Sequence, residues 1–150
     1  MSSTEVSTAQ IDPRGPRFGA WITSGVLAAV LLVSASPAVA ASLLTVQAVV
    51  FALGARGTSP YQVVFRTFVR PRLAAPTELE DAAPPRFAQV VGLGFAVVGT
   101  AGFWTGATVV GQVFTGFALV AALLNAAVGL CLGCELYLIF KRFSTKGATA

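Results

Sequence analysis

The apolar positions of this chain form long uninterrupted blocks, unlike the short periods of a soluble core. No Asp, Glu, Lys or Arg occurs in the 38 residues between Arg17 and Arg56, or in the 48 residues between Arg86 and Glu135. A helix needs about 20 residues to cross the hydrocarbon core of a bilayer. Each block therefore predicts two membrane-spanning helices joined by a short turn.

Local breaks divide the two blocks into four predicted spans. Residues 34–37, Ser-Ala-Ser-Pro, end the first span, and residues 105–108, Thr-Gly-Ala-Thr, form the second turn. A continuous helix over the last apolar run, 109–140, would measure about 48 Å and exceed the roughly 40–45 Å bilayer. We therefore expect the fourth helix to tilt, start late or protrude. The predicted spans are residues 18–34, 37–53, 87–104 and 113–138.

The beginning of the chain also fits a secretory signal peptide. Arg14 and Arg17 precede an apolar stretch, and Ala38-Val39-Ala40 matches a small-residue cleavage site. Cleavage after Ala40 would leave an apolar remnant of about 13 residues, or roughly 20 Å of helix, which is too short to span. We favour the uncleaved four-span chain, and cleavage stays open as the alternative.

A short amphipathic helix is predicted between the second and third spans. Ser59 is a suitable cap, Pro60 fits the first helical position, and Pro71 predicts an end at Arg70. Helical spacing puts Tyr61, Val64, Phe65 and Phe68 on one side and Gln62, Arg66 and Arg70 on the other. Two placements are open: the helix lies on an anionic leaflet, with Arg66, Arg70 and Arg72 at the membrane surface, or its apolar side packs under the bundle.

The remaining segments are polar. Residues 1–11 are rich in Ser and Thr and predict a disordered tail, residues 12–143 form the membrane domain, and residues 144–150 form a second tail. Glu78, Glu80 and Asp81 predict a solvated acidic loop, because their spacing does not match a loop that binds a hard cation.

Composition and charge agree with a membrane protein. The chain is 55% hydrophobic and 11% charged, with a mean hydropathy of +0.78 and a net charge of +4. All ten Lys and Arg residues fall in segments that border the spans on one side, which predicts cytoplasmic N- and C-termini in a bacterial inner membrane. The same clustering argues against nucleic acid as a partner. The predicted fold is an all-α integral membrane four-helix bundle with a short amphipathic cytoplasmic helix.

Cys131 and Cys134 form a C-x-x-C motif in the last apolar run, and helical spacing places Glu135 on their face. These three residues are the candidate catalytic group. In an unbroken helix, the apolar setting, the nearby helix C-terminus and Glu135 would all disfavour a thiolate. A break at Gly129 or Gly133 would change that argument. In the alternative interpretation, the cysteines only pack and Glu135 extends toward Arg142.

A second face of the same predicted helix is small and polar. Asn125, Gly129 and Gly133 recur every four residues and predict close packing against a neighbouring span. With two cysteines and no histidine, one chain lacks the ligands for a zinc, haem or iron–sulfur site, so we expect no metal and no cofactor. A homo-oligomer would bring four cysteines together and reopen that question.

Several segments resemble, in order, the bacterial membrane family catalogued as domain of unknown function 4395. They are DPRGPRF at 12–18, VRPRL at 69–73, ELED at 78–81, PPRFAQ at 84–89 and the stretch from Asn125 through GCELY at 133–137. The resemblance implies a four-span inner-membrane protein. Members of that family are often encoded beside thioredoxin-like and sulfurtransferase proteins, which implies such partners and a link to thiol or sulfane-sulfur chemistry.

These observations lead to three functional hypotheses. The first is a membrane component that handles thiols or sulfane sulfur through Cys131 and Cys134 at the cytoplasmic end of the last span. The second is a non-catalytic scaffold or anchor that recruits a cytoplasmic partner. A small-molecule transporter ranks third, because the spans contain few polar side chains that could line a path: Gln47, Gln89, Gln112 and Asn125.

Overall fold

The computed structural model describes residues 9–147 and confirms the all-α bundle. Four long helices carry most of the chain, and two shorter helices flank them. The helices are α1 (Arg14–Leu32), α2 (Pro37–Ala55), α3 (Pro60–Val64), α4 (Ala83–Trp104), α5 (Thr108–Val128) and α6 (Leu132–Gly147). A two-stranded antiparallel pair, β1 (Gln10–Ile11) and β2 (Glu80–Asp81), joins the segments that precede α1 and α4.

The four long helices surround a common core. Helix α1 packs against α2 and α5, and α4 packs against the same two helices, so α1 and α4 occupy opposite corners of the bundle. We call the end where α1 and α4 begin and α2 and α5 finish the charged end. The other end contains the short turns at residues 33–36 and 105–107.

The core of the bundle contains small and aliphatic side chains, and its outer surface is apolar. Leu27, Val30 and Leu44 are fully buried. Val46 and Val109 are 65% and 70% exposed on the outside. All four long helices are long and apolar enough to cross a membrane. Exposed valines around a packed core are what a lipid-facing surface requires, so the architecture is that of a multi-pass membrane protein.

Close backbone approach holds α4 against α5 near the turn end. A Cβ atom added to Gly102 would lie 2.7 Å from the backbone nitrogen of Gly111. Both glycines are buried, so any larger residue would separate the helices. Small residues at helix contacts are the expected means of packing in a bilayer, where apolar side chains gain little by leaving lipid.

A buried polar network ties α3 to the bundle. The Tyr61 hydroxyl donates a hydrogen bond to Gln47 Oε1 at 2.8 Å, and Gln47 Nε2 donates to Thr23 Oγ1 at 3.4 Å. Gln47 is only 1% exposed, so both ends of its amide need these partners. Burial raises the pKa of Tyr61, which keeps the hydroxyl proton available for donation.

The segment after α2 begins as predicted but ends later. Pro60 opens α3, which continues as a π-helical turn, Phe65–Val69, and a 3-10 turn, Arg70–Arg72. The predicted end at Arg70 was wrong, because Pro71 sits early in the 3-10 turn, where its missing N–H requires no partner.

One part of the apolar side of this segment is buried against the bundle, and the other part is exposed. Phe65 is 3% exposed, and its ring lies against the backbone of Gly15 and 5.7 Å from the ring of Phe18. Val64 and Phe68, by contrast, are 42% and 58% exposed. Packing under the bundle therefore describes one part of the predicted apolar side, and the other part faces outward.

Both predicted tails differ from the structure where it describes them. Gln10 and Ile11 are not a free tail, because they pair with Asp81 and Glu80 in the two-stranded sheet. The second tail was placed at 144–150, yet α6 remains helical through Gly147. Residues 1–8 and 148–150 lie outside the described residues.

The largest difference concerns the fourth span. The predicted helix over 113–138 is two helices, because α5 runs from Thr108 to Val128 and Gly129 then adopts φ +74°. A left-handed glycine ends a helix without the steric penalty that a side chain would bring. The same break resolves the excess length of the last apolar run.

Asp12 fixes the start of α1. Its Oδ1 accepts the Arg14 backbone N–H and the Arg14 Nε, each at 3.0 Å, and its Oδ2 accepts Arg14 Nη2 at 2.9 Å. The hydrogen bond from Arg14 lowers the pKa of the buried Asp12 carboxyl. The ionised form is therefore favoured in the folded state. The stabilisation that this carboxylate gives the folded state is complete above the ordinary aspartate pKa. It is lost as the pH falls through the lower pKa of the folded state.

We expect Asp12→Asn to lower the free energy of unfolding by roughly 1–3 kcal/mol at neutral pH, since hydrogen bonds to a charged group are lost. The difference from the unmodified protein should shrink as the pH falls through the lowered pKa of the folded-state carboxyl. Thermal unfolding in nanodiscs between pH 7 and pH 3 measures this. The exposed Glu78→Gln is the matched control, and an equal loss in both variants would contradict the assigned role.

Candidate thiol site at the charged end

The candidate site is built on the break between α5 and α6. The Gly129 N–H donates to the Asn125 carbonyl at 3.1 Å, and the Leu130 N–H reaches back to the Leu124 carbonyl at 3.2 Å. These bonds satisfy carbonyl groups that the helix end leaves without partners. The chain then turns and starts α6 at Leu132, only three residues after the glycine.

Cys131 occupies the capping position of α6. Its carbonyl accepts the Glu135 N–H at 3.0 Å, and its Sγ accepts the Cys134 N–H at 3.3 Å. A capping side chain normally satisfies one of the free N–H groups at the start of a helix in this way. The sulfur of Cys131 therefore lies at the positive end of the α6 dipole, the position that stabilises a thiolate.

Cys131 and Cys134 form a disulfide in the structure, with their Cα atoms 5.2 Å apart. That separation lies inside the range that disulfides span. The sequence argument had placed the motif near a helix C-terminus, where the dipole disfavours a thiolate. The unbroken helix that this argument assumed was wrong, because the break at Gly129 puts both cysteines at a helix N-terminus.

The disulfide lies on the wall of a cavity inside the bundle. The cavity has a volume of about 500 Å³ and is bounded by α1, α2, α4, α5 and the start of α6. Its lining is mostly apolar, with contributions from Phe51, Phe95 and Phe117. The two cysteines lie at the charged end of this space, where the segment between α5 and α6 closes the bundle.

Two amide side chains on the cavity wall have no hydrogen-bond partner within residues 9–147. They are Gln89 of α4 and Asn125 of α5, and both are only partly exposed. The other two amides noted in the spans are engaged: Gln47 bonds Tyr61 and Thr23, and Gln112 Nε2 donates to Ser34 Oγ at 3.0 Å. The cavity thus combines apolar walls with free polar groups near the disulfide, as ligand sites do.

Arg17 connects α1 to the helix end that precedes the cysteines. Its Nη2 donates to the carbonyls of Ala126 and Ala127, at 3.3 Å and 3.4 Å. A cation at the C-terminus of α5 also interacts favourably with the helix dipole. A Cβ atom at Gly129 would lie 3.9 Å from this guanidinium group. Arg17 therefore fixes the position of the turn that carries Cys131.

We expect Arg17→Leu to lower the free energy of unfolding by about 0.5–1.5 kcal/mol, the usual contribution of a hydrogen bond. Hydrogen exchange at residues 127–131 should speed up more than exchange in the middle of α5. Arg56→Leu, at the end of α2, is the matched control for loss of one positive charge. Equal acceleration throughout α5 in both variants would contradict a local role for Arg17.

Helix α6 packs on the start of α4 through a small residue and a ring contact. A Cβ atom at Gly133 would lie 2.6 Å from both the Cα and the Cβ of Ala88. One helical turn later, the Tyr137 ring lies 5.7 Å from the ring of Phe87. This contact sets the orientation of α6 and hence of the disulfide at its start.

The predicted small-polar stripe is divided by the break. Only Gly133 makes the predicted close contact with a neighbouring span, whereas Gly129 ends α5 and Asn125 lines the cavity. Glu135 is exposed in the first turn of α6, away from the cavity lining, where its charge complements the helix dipole. The structure thus brings together the two cysteines and Asn125 but not Glu135.

The three arginines predicted at the membrane surface, Arg66, Arg70 and Arg72, are all exposed on the segment after α3. Among the described residues, no group of three or more His, Cys, Asp or Glu side chains lies close enough to hold a metal ion.

Sequence reasoning missed two residues of the site. Arg17 was used for membrane orientation, for the signal-peptide alternative and in a family segment, and Gln89 as a polar residue of a span and of another family segment, but neither was assigned to the site. Their signal was present, since both are polar residues at the charged ends of apolar helices. Assigning them to the site required the relative placement of α1, α4 and α5, which spacing along a chain does not provide.

Comparison with known proteins gives a family but no functional relative. A search of curated proteins and a search of solved structures each found no match. The family described as "Domain of unknown function (DUF4395)" matches residues 11–142, from β1 to the middle of α6. The match covers the four long helices, the turn at Gly129 and both cysteines, so the chain belongs to the DUF4395 family.

Proposed function

We propose that this protein is a membrane thiol–disulfide exchange component that uses Cys131 and Cys134 as its redox pair. The observation that carries the proposal is the disulfide at the N-terminus of α6, with Cys131 Sγ in the capping position. In soluble redox proteins, too, a C-x-x-C motif at a helix N-terminus favours the thiolate. The fit to that chemistry supports a reactive pair over two packing cysteines.

Membrane orientation supports a catalytic role for the disulfide. The basic residues lie in segments at the charged end, and the positive-inside rule supports our proposal that this end faces the cytoplasm. Exposed apolar residues beside basic ones on α6, such as Phe140 and Phe143 beside Lys141 and Arg142, suit the interface of an anionic leaflet. In a bacterial inner membrane, the disulfide would then face a reducing compartment, where disulfides are usually transient and catalytic.

The exchange proceeds through a mixed disulfide on Cys131. A thiolate of a partner dithiol attacks Cys131 Sγ, the Cys131–Cys134 bond breaks, and Cys134 leaves as a thiolate that takes up a proton. The second partner thiol then attacks the partner sulfur of the mixed disulfide and releases Cys131 as a thiolate. The partner dithiol is oxidised to a disulfide, and the pair in this chain is reduced. A thioredoxin-like protein is a partner of suitable chemistry, and a sulfurtransferase would instead transfer a sulfane sulfur to the same thiolate.

Equilibration of the purified protein in nanodiscs with dithiol and disulfide buffers tests the proposal. Alkylation with a mass-shifting maleimide should reveal one two-electron transition between the disulfide and the dithiol. Cys131→Ser should show no transition over the same range, because its remaining thiol has no partner. A pair that stays oxidised or stays reduced across all buffers would contradict the proposal, and a protein gaining a single sulfur atom on one cysteine would favour the sulfane-sulfur route.

A transport function has less support from the polar side chains. Gln47 and Gln112 are engaged by Thr23, Tyr61 and Ser34, which fixes the helices to one another. The free amides, Gln89 and Asn125, both line the cavity at the charged end. A polar path across the bilayer would need groups along its whole length.

A further inference from the structure

The cavity beside the disulfide has the properties of a site for a small lipophilic redox molecule. Its volume of about 500 Å³ falls within the usual range of ligand pockets, roughly 300–1,000 Å³. Apolar side chains form most of its wall, and the two cysteines form part of the same wall. A ligand in this space would therefore lie next to the sulfur atoms.

The wall also offers hydrogen-bond donors that nothing in residues 9–147 uses. The amides of Gln89 and Asn125 come from facing helices and have no partner. Both residues line the cavity, and a ligand with carbonyl oxygens would offer their amides the hydrogen-bond partners they lack. The ligand is thus expected to be apolar with a few oxygen acceptors.

Entry from the bilayer is available through α5. Phe117 lines the cavity and is also 61% exposed on the outer surface of the bundle. A side chain that touches both spaces can admit a molecule dissolved in lipid by changing its rotamer, a fast motion for an exposed residue. A membrane-soluble ligand would not need to pass through the charged end.

We propose that the cavity binds the headgroup of an isoprenoid quinone, which accepts electrons from the reduced Cys131–Cys134 pair. The reaction balances, since the dithiol loses two electrons and two protons and becomes a disulfide, and the quinone gains both and becomes a quinol. The Gln89 and Asn125 amides donate to the quinone oxygens. This inference rests on the proposed thiol exchange, which would supply the electrons from a partner dithiol.

Binding of decylubiquinone to the protein in nanodiscs tests the cavity directly. We expect saturable binding that Asn125→Leu and Gln89→Leu each weaken roughly tenfold, as the loss of a ligand hydrogen bond would. Gln112→Leu, which removes an amide outside the cavity lining, is the matched control and should bind normally. No saturable binding, equal binding by all variants, or equal competition by the decyl chain without a headgroup would overturn the proposal.

A second measurement tests whether the reduced cysteine pair transfers electrons to the quinone. Decylubiquinone mixed with the reduced protein should be reduced in a one-to-one ratio to disulfide formed, and Cys134→Ser should reduce none. If the pair cycles in dithiol buffers but transfers no electrons to the quinone, the quinone inference fails and the exchange function stands. If the pair does not cycle at all, the exchange function itself fails.

Discussion

Cys134→Ser should stop turnover completely and trap the partner on Cys131. In this variant the Cys131 thiolate attacks an oxidised partner disulfide and one partner sulfur leaves as a thiolate, and without Cys134 no thiol of this chain can resolve the mixed disulfide. Incubated with an oxidised small-molecule disulfide, the variant should accumulate a stable mixed disulfide at Cys131. Intact mass and peptide mapping measure the adduct.

Cys131→Ser is the matched comparison, because it removes the other sulfur at the same cost in packing. It should form far less adduct. The Cys131 sulfur accepts a hydrogen bond from the Cys134 N–H, whereas the Cys134 sulfur accepts none among the described residues. Both variants should keep the fold, because serine is close in size and can cap the same helix. Equal adduct formation by the two variants would contradict the assignment of Cys131 as the nucleophile.

Gly133→Leu should displace α6 from α4. The added Cβ would meet the Cα and Cβ of Ala88 at 2.6 Å, and a backbone atom cannot move aside as a side-chain tip can. Overpacking of this kind costs about 1–3 kcal/mol. We expect faster hydrogen exchange across residues 132–147 and a lower free energy of unfolding, with Gly133→Ala showing a smaller effect in the same direction.

Gly94→Leu on α4 is the control for that variant. Nothing in the described residues lies within 4 Å of a Cβ at Gly94, which faces outward. The control should leave α6 unaffected. If hydrogen exchange in α6 is as slow in Gly133→Leu as in the unmodified chain, the contact with Ala88 is not what positions the cysteines.

Most of the bundle could be predicted from the sequence, because lipid imposes a simple rule. A span must be apolar and about 20 residues long, and charged residues must lie at its ends. Pro37, Arg17 and Arg86 therefore indicate where helices begin with an error of a few residues. The break at Gly129 could not be placed, since a glycine within an apolar run is compatible both with a continuous packed helix and with a left-handed end.

The break at Gly129 also changes the chemistry expected of Cys131. With a continuous helix, Cys131 would lie at a C-terminal end, and its thiolate would be disfavoured. With Gly129 at φ +74°, the same cysteine caps a new helix and forms a disulfide with Cys134. The role of Gln89 was hidden for a different reason, because its place on the cavity wall that Asn125 also lines depends on how the helices pack and not on local spacing.

Labelling in oriented vesicles tests most directly whether the pair is a reversible disulfide reached from the cytoplasm. A membrane-impermeant maleimide is applied to inside-out and right-side-out vesicles, before and after reduction, with Ala35→Cys in a chain lacking both native cysteines as the marker of the turn end. We predict that Cys131 and Cys134 react only in inside-out vesicles and only after reduction, while the marker reacts only in right-side-out vesicles. Cysteines that react in no state, or that react fully without reduction, would contradict the redox pair.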